Sequence, residues 1–132
     1  ADADPERAWQ RISRSRTSIG QLIMDQSVMA GVGNIYRSEI LWRQRIHPHT
    51  PGQRLPREAF DRIWADAVAL LMLGVKSNAI ITVDGVKKSK SRYGERVNIF
   101  AKDACPACAA RISAFEIAGR RAFACEACQP KL

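Results

Sequence analysis

Two C-x2-C pairs, Cys105/Cys108 and Cys125/Cys128, separated by sixteen residues and comprising every cysteine of the 132-residue chain, constrain this sequence more than any other feature. Each pair bends the backbone so that two sulfurs converge, and two pairs supply the tetrahedral thiolate set that a structural Zn2+ takes. A pair of disulfides is the competing reading. No apolar leader run or membrane-length stretch is present, and no further cysteine thickens the pattern, so a cytoplasmic zinc module is expected over a disulfide-dense secreted scaffold. Between the pairs, Arg111 to Ile117 alternates like a strand, Gly119 turns it, and Ala122-Phe123-Ala124 returns. The second pair therefore closes a β-hairpin, unlike the strand-to-helix setting of a redox C-x2-C.

The chain carries 21 basic and 13 acidic residues, a formal charge of +8, which four thiolates around one Zn2+ (−4 + 2) would reduce to about +6. Clusters at Arg11–Arg16, Arg37–Arg45, Lys87–Arg96 and Arg120-Arg121 give this excess the footprint of a polyanion binder.

Asp4-Pro5 reads as an N-cap and first helical residue, with Ala8, Trp9 and Ile12 following at helical spacing to about Ser13. Thr17 or Ser18 caps a second helix carrying Ile19, Leu22, Ile23 and Met24. A third is expected from about Ile35 to Arg45, and a long amphipathic one from Pro56 to about Gly74 with Phe60, Ile63, Trp64, Ala67, Leu70 and Leu71 on its stripe. From Val75 to Phe100 periodicity fades into a glycine-, serine- and lysine-containing stretch, read as a basic linker or mobile loop. Trp9, Trp42 and Trp64 read as core packers. His47 and His49, on a proline-rich turn beside a complete four-thiol set, read as surface histidines.

Between the second and third helices, Ala30-Gly31-Val32-Gly33-Asn34 is the candidate anion site. Gly31 and Gly33 allow close backbone approach, and Asn34 opens a helix whose free N–H groups favour a phosphate. The same residues also suit a tight inter-helix turn with Asn34 as N-cap.

The stretch Met24 to Leu41, continuing through Arg45-Ile46-His47-Pro48, closely resembles the helix-two-turn-helix of the formamidopyrimidine-DNA glycosylase and endonuclease VIII family. Gly119-Arg120-Arg121-Ala122-Phe123-Ala124-Cys125 through Gln129 resembles that family's zinc finger, and Ile19-Gly20 leans toward the endonuclease VIII branch of actinobacterial type, where many formamidopyrimidine-type members have Ile-Lys. With the elements read above, the resemblance implies a mainly α fold: a helix-two-turn-helix domain over residues 1–74 and a four-cysteine β-hairpin zinc finger over 101–132, joined by the basic linker over 75–100, which the resemblance does not cover. It further implies that Asn34 and Arg120 hold phosphates flanking a flipped-out lesion in double-stranded DNA. Arg121 is then a second phosphate contact or a solvated strand neighbour. Family members excise oxidised bases and cut the backbone through an N-terminal proline amine and an adjacent glutamate. Here Pro5 is acylated by Asp4, so Pro5-Glu6 cannot supply that chemistry, and no catalytic residue is assigned. The expected entity is a monomeric DNA-binding C-terminal region. The competing classes are a protein-interaction module, with Gln21-Leu22-Ile23-Met24 faintly similar to peptides that dock on sliding clamps, and Schiff-base chemistry at Lys87 or Lys88.

Overall fold

The computed structural model describes residues 4–132, apart from the side chains of Lys90 and Tyr93. Its elements run α1 (Pro5–Ser13), α2 (Ile19–Leu22), α3 (Asn34–Arg43), α4 (Arg57–Ser77), β1 (Ser113–Ile117) and β2 (Arg120–Ala124), with short 3-10 turns between them. Among these residues no helix is long and apolar enough to cross a membrane.

α1 starts where Asp4 Oδ1 accepts the N–H groups of Glu6 and Arg7 at 3.1 and 3.3 Å, and Pro5 takes a position that needs no N–H donor. Ala8 and Ile12 face inward. Arg57 joins α1 to α4, bidentate on Glu6 at 2.9 Å to each oxygen and bonded to Asp61 at 3.0 Å. α2 ends at Leu22, two residues before the expected Met24, and both Leu22 and Ile23 are buried. Leu22 and Ile23 of the clamp-like tetrapeptide thus serve the core. Phe60 of α4 is wholly buried between Trp9 and Trp64, with ring centroids 5.3 and 5.9 Å away.

α3 lies at the centre, with every residue from Tyr36 to Trp42 buried. One side joins the apolar core of α1, α2 and α4; its last turn puts Trp42 into a second cluster with Ile99, Cys105, Ile112 and Phe123. α3 stops two residues before the expected Arg45, because Arg45 is left-handed at φ 60° and the Ile46 N–H closes back onto the Leu41 carbonyl at 2.9 Å.

The segment read as a slack linker is anchored at both ends. α4 continues to Ser77 and is closed by Asn78 in the left-handed region. Ile81, Thr82, Val97 and Ile99 are then buried, and the Thr82 N–H meets the Arg96 carbonyl at 2.8 Å. The anchor is Glu39 of α3. Its carboxylate, with no cationic partner among the described residues, accepts the backbone N–H groups of Asn98, Ile99 and Phe100 at 2.5, 2.7 and 2.9 Å, and the Thr82 hydroxyl as well. Arg43, one turn on, binds the Thr82 carbonyl at 2.7 Å and Asp84 at 3.1 Å while holding Asp66 bidentately. A basic loop over residues 83–96 therefore rises from a fixed base.

His47 also departs from expectation. It is 1% exposed, stacked on Phe115 at 5.8 Å, with Nδ1 accepting the His49 N–H at 3.0 Å and Nε2 lying 2.8 Å from Glu126. It fills the seam between helices and hairpin, whereas His49 is exposed as read.

A Glu39→Gln substitution turns an amide N–H2 toward backbone donors. It is expected to cost about 3 kcal/mol of unfolding free energy, measured by denaturant titration, with faster hydrogen exchange at Asn98–Phe100; unchanged exchange there would show that the loop base is held by other contacts.

Candidate nucleic-acid interface

The turn before α3 is built on Gln26, whose Oε1 accepts the Gly31 N–H at 2.9 Å and whose amide reaches the Val32 carbonyl at 3.4 Å. Gly31 adopts φ +92°, where a side chain would be strained. Gly33 is extended at φ −95°, and a Cβ there would meet nothing within 4 Å, so its value lies in open approach from outside. Gly33, and not Asn34, is the N-cap. No side chain caps α3, leaving its first-turn N–H groups without a side-chain acceptor.

Asn34 is the first helical residue, and its amide is held in one orientation. Oδ1 accepts from the Arg37 guanidinium, and Nδ2 donates to the Arg121 carbonyl at 2.9 Å. This hydrogen-bonding pattern assigns the amide and leaves its second N–H without an acceptor among the described residues. In the sequence Arg37 stands out only as the start of the basic cluster Arg37–Arg45, one turn after Asn34. It is 1% exposed, with a terminal nitrogen on the Gly20 carbonyl at 3.2 Å, and its Nε is buried without a partner. Burial, and then the charge of nearby Arg120, hold its guanidinium below its ordinary value. Arg120 is exposed, and no carboxylate pairs with either cation among the described residues. Two uncompensated cations beside that amide N–H suit a multiply charged anion. Arg121 contributes its carbonyl to this arrangement, and its own guanidinium lies over Phe123 at 5.4 Å.

The hairpin is docked so that Arg120 falls beside Asn34. Ile117 pairs with Arg120 across a two-residue turn, Ala118-Gly119, both left-handed at φ 52° and 80°, the geometry of a tight type I′ connection. Ile117 is buried over Gly20, where a Cβ would come within 2.9 Å of Pro48 and 3.0 Å of the Ile117 side chain. The Phe123 N–H donates to Ser38 Oγ of α3 at 3.3 Å.

The four cysteines meet at the other end of the hairpin, with all sulfurs within 4.8 Å of one another. Cys105 and Cys128 are 3.9 Å apart and Cys108 and Cys125 3.5 Å, near the roughly 3.8 Å edge of a tetrahedron with ~2.3 Å zinc–sulfur bonds. Burial alone would push the Cys105 thiol up, but the Trp42 indole N–H and backbone N–H groups bring it down to about 6; the Cys108 side chain and burial push Cys128 up to about 12. Four thiolates at this distance require a cation to coexist, so the donor set fits a thiophilic divalent metal. Gln129 locks the second pair to the helices, accepting the Cys125 N–H at 2.8 Å and donating to the Ile46 carbonyl at 2.9 Å.

The family described as formamidopyrimidine-DNA glycosylase H2TH domain matches residues 1–85. The chain belongs to that family. It is 40% identical over 135 residues to Endonuclease 8 1 of Mycobacterium tuberculosis, covering 98% of this chain and 50% of that protein. It is 32% identical to the formamidopyrimidine-DNA glycosylase of Thermomicrobium roseum, covering 96% and 46%. The chain thus spans about half the length of the curated relatives it matches. Among solved structures it superposes on Lactococcus lactis Fpg in complex with abasic-site DNA, with a TM-score of 0.81, 25% identity, and 97% and 48% coverage.

Asn34→Asp preserves the acceptor for Arg37 but removes both amide N–H groups, the donor to the Arg121 carbonyl included, and adds negative charge. Melting temperature is expected to fall slightly, while duplex-DNA affinity falls on the order of tenfold further than for Asn34→Ala; equal losses for the two variants would show that charge at this position does not face the DNA.

Proposed function

We propose that this chain is the DNA-binding C-terminal half of an endonuclease VIII-type base-excision-repair enzyme, a DNA glycosylase and AP lyase, and that it grips double-stranded DNA by phosphates around a damaged or abasic nucleotide. The observation that carries this reading is the convergence of Asn34, Arg120 and buried Arg37 without a counter-anion. The family membership and the likeness to an Fpg bound to abasic-site DNA support the choice of DNA as the anion.

In this reading Arg120 makes a charge-assisted contact with one phosphate, the free N–H of Asn34 donates to the same stretch of backbone, and the open N-terminus of α3 adds its dipole. Gly33 keeps that approach clear of side-chain atoms. Arg37 positions Asn34 from below and adds positive potential without leaving its buried seat. Arg121 supplies the carbonyl that holds the Asn34 amide. Cys105, Cys108, Cys125 and Cys128 would hold one structural Zn2+, which supplies folding free energy to a hairpin too small to carry a core of its own. The chemistry of base excision belongs to the other half of the parent enzyme. Pro5 is the first residue of a helix and Glu6 is occupied by Arg57, so neither is free for it. The basic loop over residues 83–96, whose flanks Glu39 holds, is placed by the same reading along the DNA.

The test is a fluorescence titration of the chain with an abasic-analogue duplex and with an undamaged duplex across a salt series. Affinity is expected to fall with salt by roughly 0.9 log unit per phosphate neutralised, and Arg120→Ala is expected to lower that slope by about one contact. A chelator should abolish tight binding, and borohydride should trap no covalent adduct on abasic DNA. Salt-independent binding, or an Arg120→Ala variant with unaltered affinity and slope, would overturn the assignment.

A further inference from the structure

Trp42 directs its indole N–H at the Cys105 sulfur, 3.3 Å away, in a setting where both residues are buried. Among the described residues this is the one side-chain N–H that reaches any of the four sulfurs. Gln129, the corresponding brace on the second pair, takes the Cys125 backbone N–H and leaves the sulfur alone. Trp42 is held on every side: its ring packs with Ile99, Ile112 and Phe123, and the Arg45 guanidinium lies 4.5 Å above it. The indole nitrogen is a donor only. Buried, it needs an acceptor, and a metal-bound thiolate is a far better one than a neutral thiol. Outer-sphere donors of this kind orient a metal's ligands and tune their charge.

We propose that Trp42 is a positioning residue for the metal centre: its N–H orients the Cys105 thiolate and thereby ties occupancy of the cysteine cluster to α3, the helix whose first residue is Asn34. The inference rests on the zinc reading given above. Trp42 lies eight positions after Asn34, about 12 Å of helix at ~1.5 Å per residue, and every intervening residue from Tyr36 on is buried. Such a rod transmits a change at its last turn to the phosphate-binding end. Metal loss would then weaken the DNA grip by two routes, through the hairpin that carries Arg120 and through the helix that carries Asn34. Simple packing would need only an aromatic ring of this size at position 42, and the N–H would then be immaterial.

Trp42→Phe separates the two explanations. With Co2+ in place of zinc, the thiolate-to-metal charge-transfer band should move to lower energy in the variant, because a thiolate without its hydrogen bond is a more electron-rich donor. Zinc affinity by chelator competition should fall 10- to 100-fold. A second measurement needs no variant. On metal loading, the Trp42 indole proton resonance of the wild-type chain should move downfield while those of Trp9 and Trp64 stay in place, and with cadmium-113 it should show scalar coupling to the metal. A folded Trp42→Phe with the wild-type band position and affinity, or a Trp42 indole resonance that ignores the metal, would overturn the inference while leaving the zinc reading intact. A wild-type chain that takes up no metal would overturn both.

Discussion

The polar side chains of α3, most of them buried, are the constraint on which the rest of the structure depends. Asn34, Arg37, Ser38, Glu39, Trp42 and Arg43 project from ten residues of helix, and all find partners outside it: the Arg121 carbonyl and Phe123 N–H of β2, the Gly20 carbonyl of α2, the Asn98–Phe100 amides, the Cys105 sulfur, and Asp66 with the Thr82 carbonyl. A buried polar group without its partner costs about 1–3 kcal/mol, and a charged one more. Displacing the hairpin, the loop base or the cysteine cluster would therefore leave at least one such group unpaired. Apolar contacts tolerate sliding, but directed hydrogen bonds set register, so this helix specifies where each surrounding segment must lie.

The proposed anion site inherits its geometry from that helix. Arg37 is tolerated in the interior because its terminal nitrogens reach the Gly20 carbonyl and Asn34, yet Nε stays unpaired and Arg120 stands close by with the same charge. Like charges held together without a counter-ion destabilise the free protein and are relieved when an anion arrives. At the site proposed above, an anion would relieve that repulsion, which favours a phosphate over a neutral ligand.

The parts legible in the sequence are those set by local pattern. The cysteine spacing foretells the cluster, Asp4-Pro5 marks the start of α1, and the alternation between the cysteine pairs marks a hairpin, although both strands are set slightly differently from the reading. The turn and the family resemblance single out Gly31, Gly33, Asn34 and Arg120, whose DNA contacts are the proposal made above. What stays hidden are charged residues that the fold buries. Arg37 and Glu39 look like the solvated face of an amphipathic helix, and no periodicity distinguishes a carboxylate in water from one that gathers three backbone N–H groups. The stretch between α4 and the cysteines looks slack because its order comes from Glu39 and Arg43, far earlier in the chain. The burial of His47 is hidden for the same reason, since the Phe115 ring that covers it arrives from the hairpin.

Gly20 shows how one missing side chain can set the relation between two halves of a binding surface. The Gly20 N–H binds the Pro48 carbonyl at 2.9 Å, the Gly20 carbonyl receives Arg37 at 3.2 Å, and the space above its Cα is taken by Ile117. Any side chain here would meet Pro48 and Ile117 at once, so the hairpin tip can come this close to α2 because position 20 carries hydrogen alone. Ile117 is also the register partner of Arg120. The same contact that seats the hairpin on α2 therefore fixes the guanidinium beside Asn34.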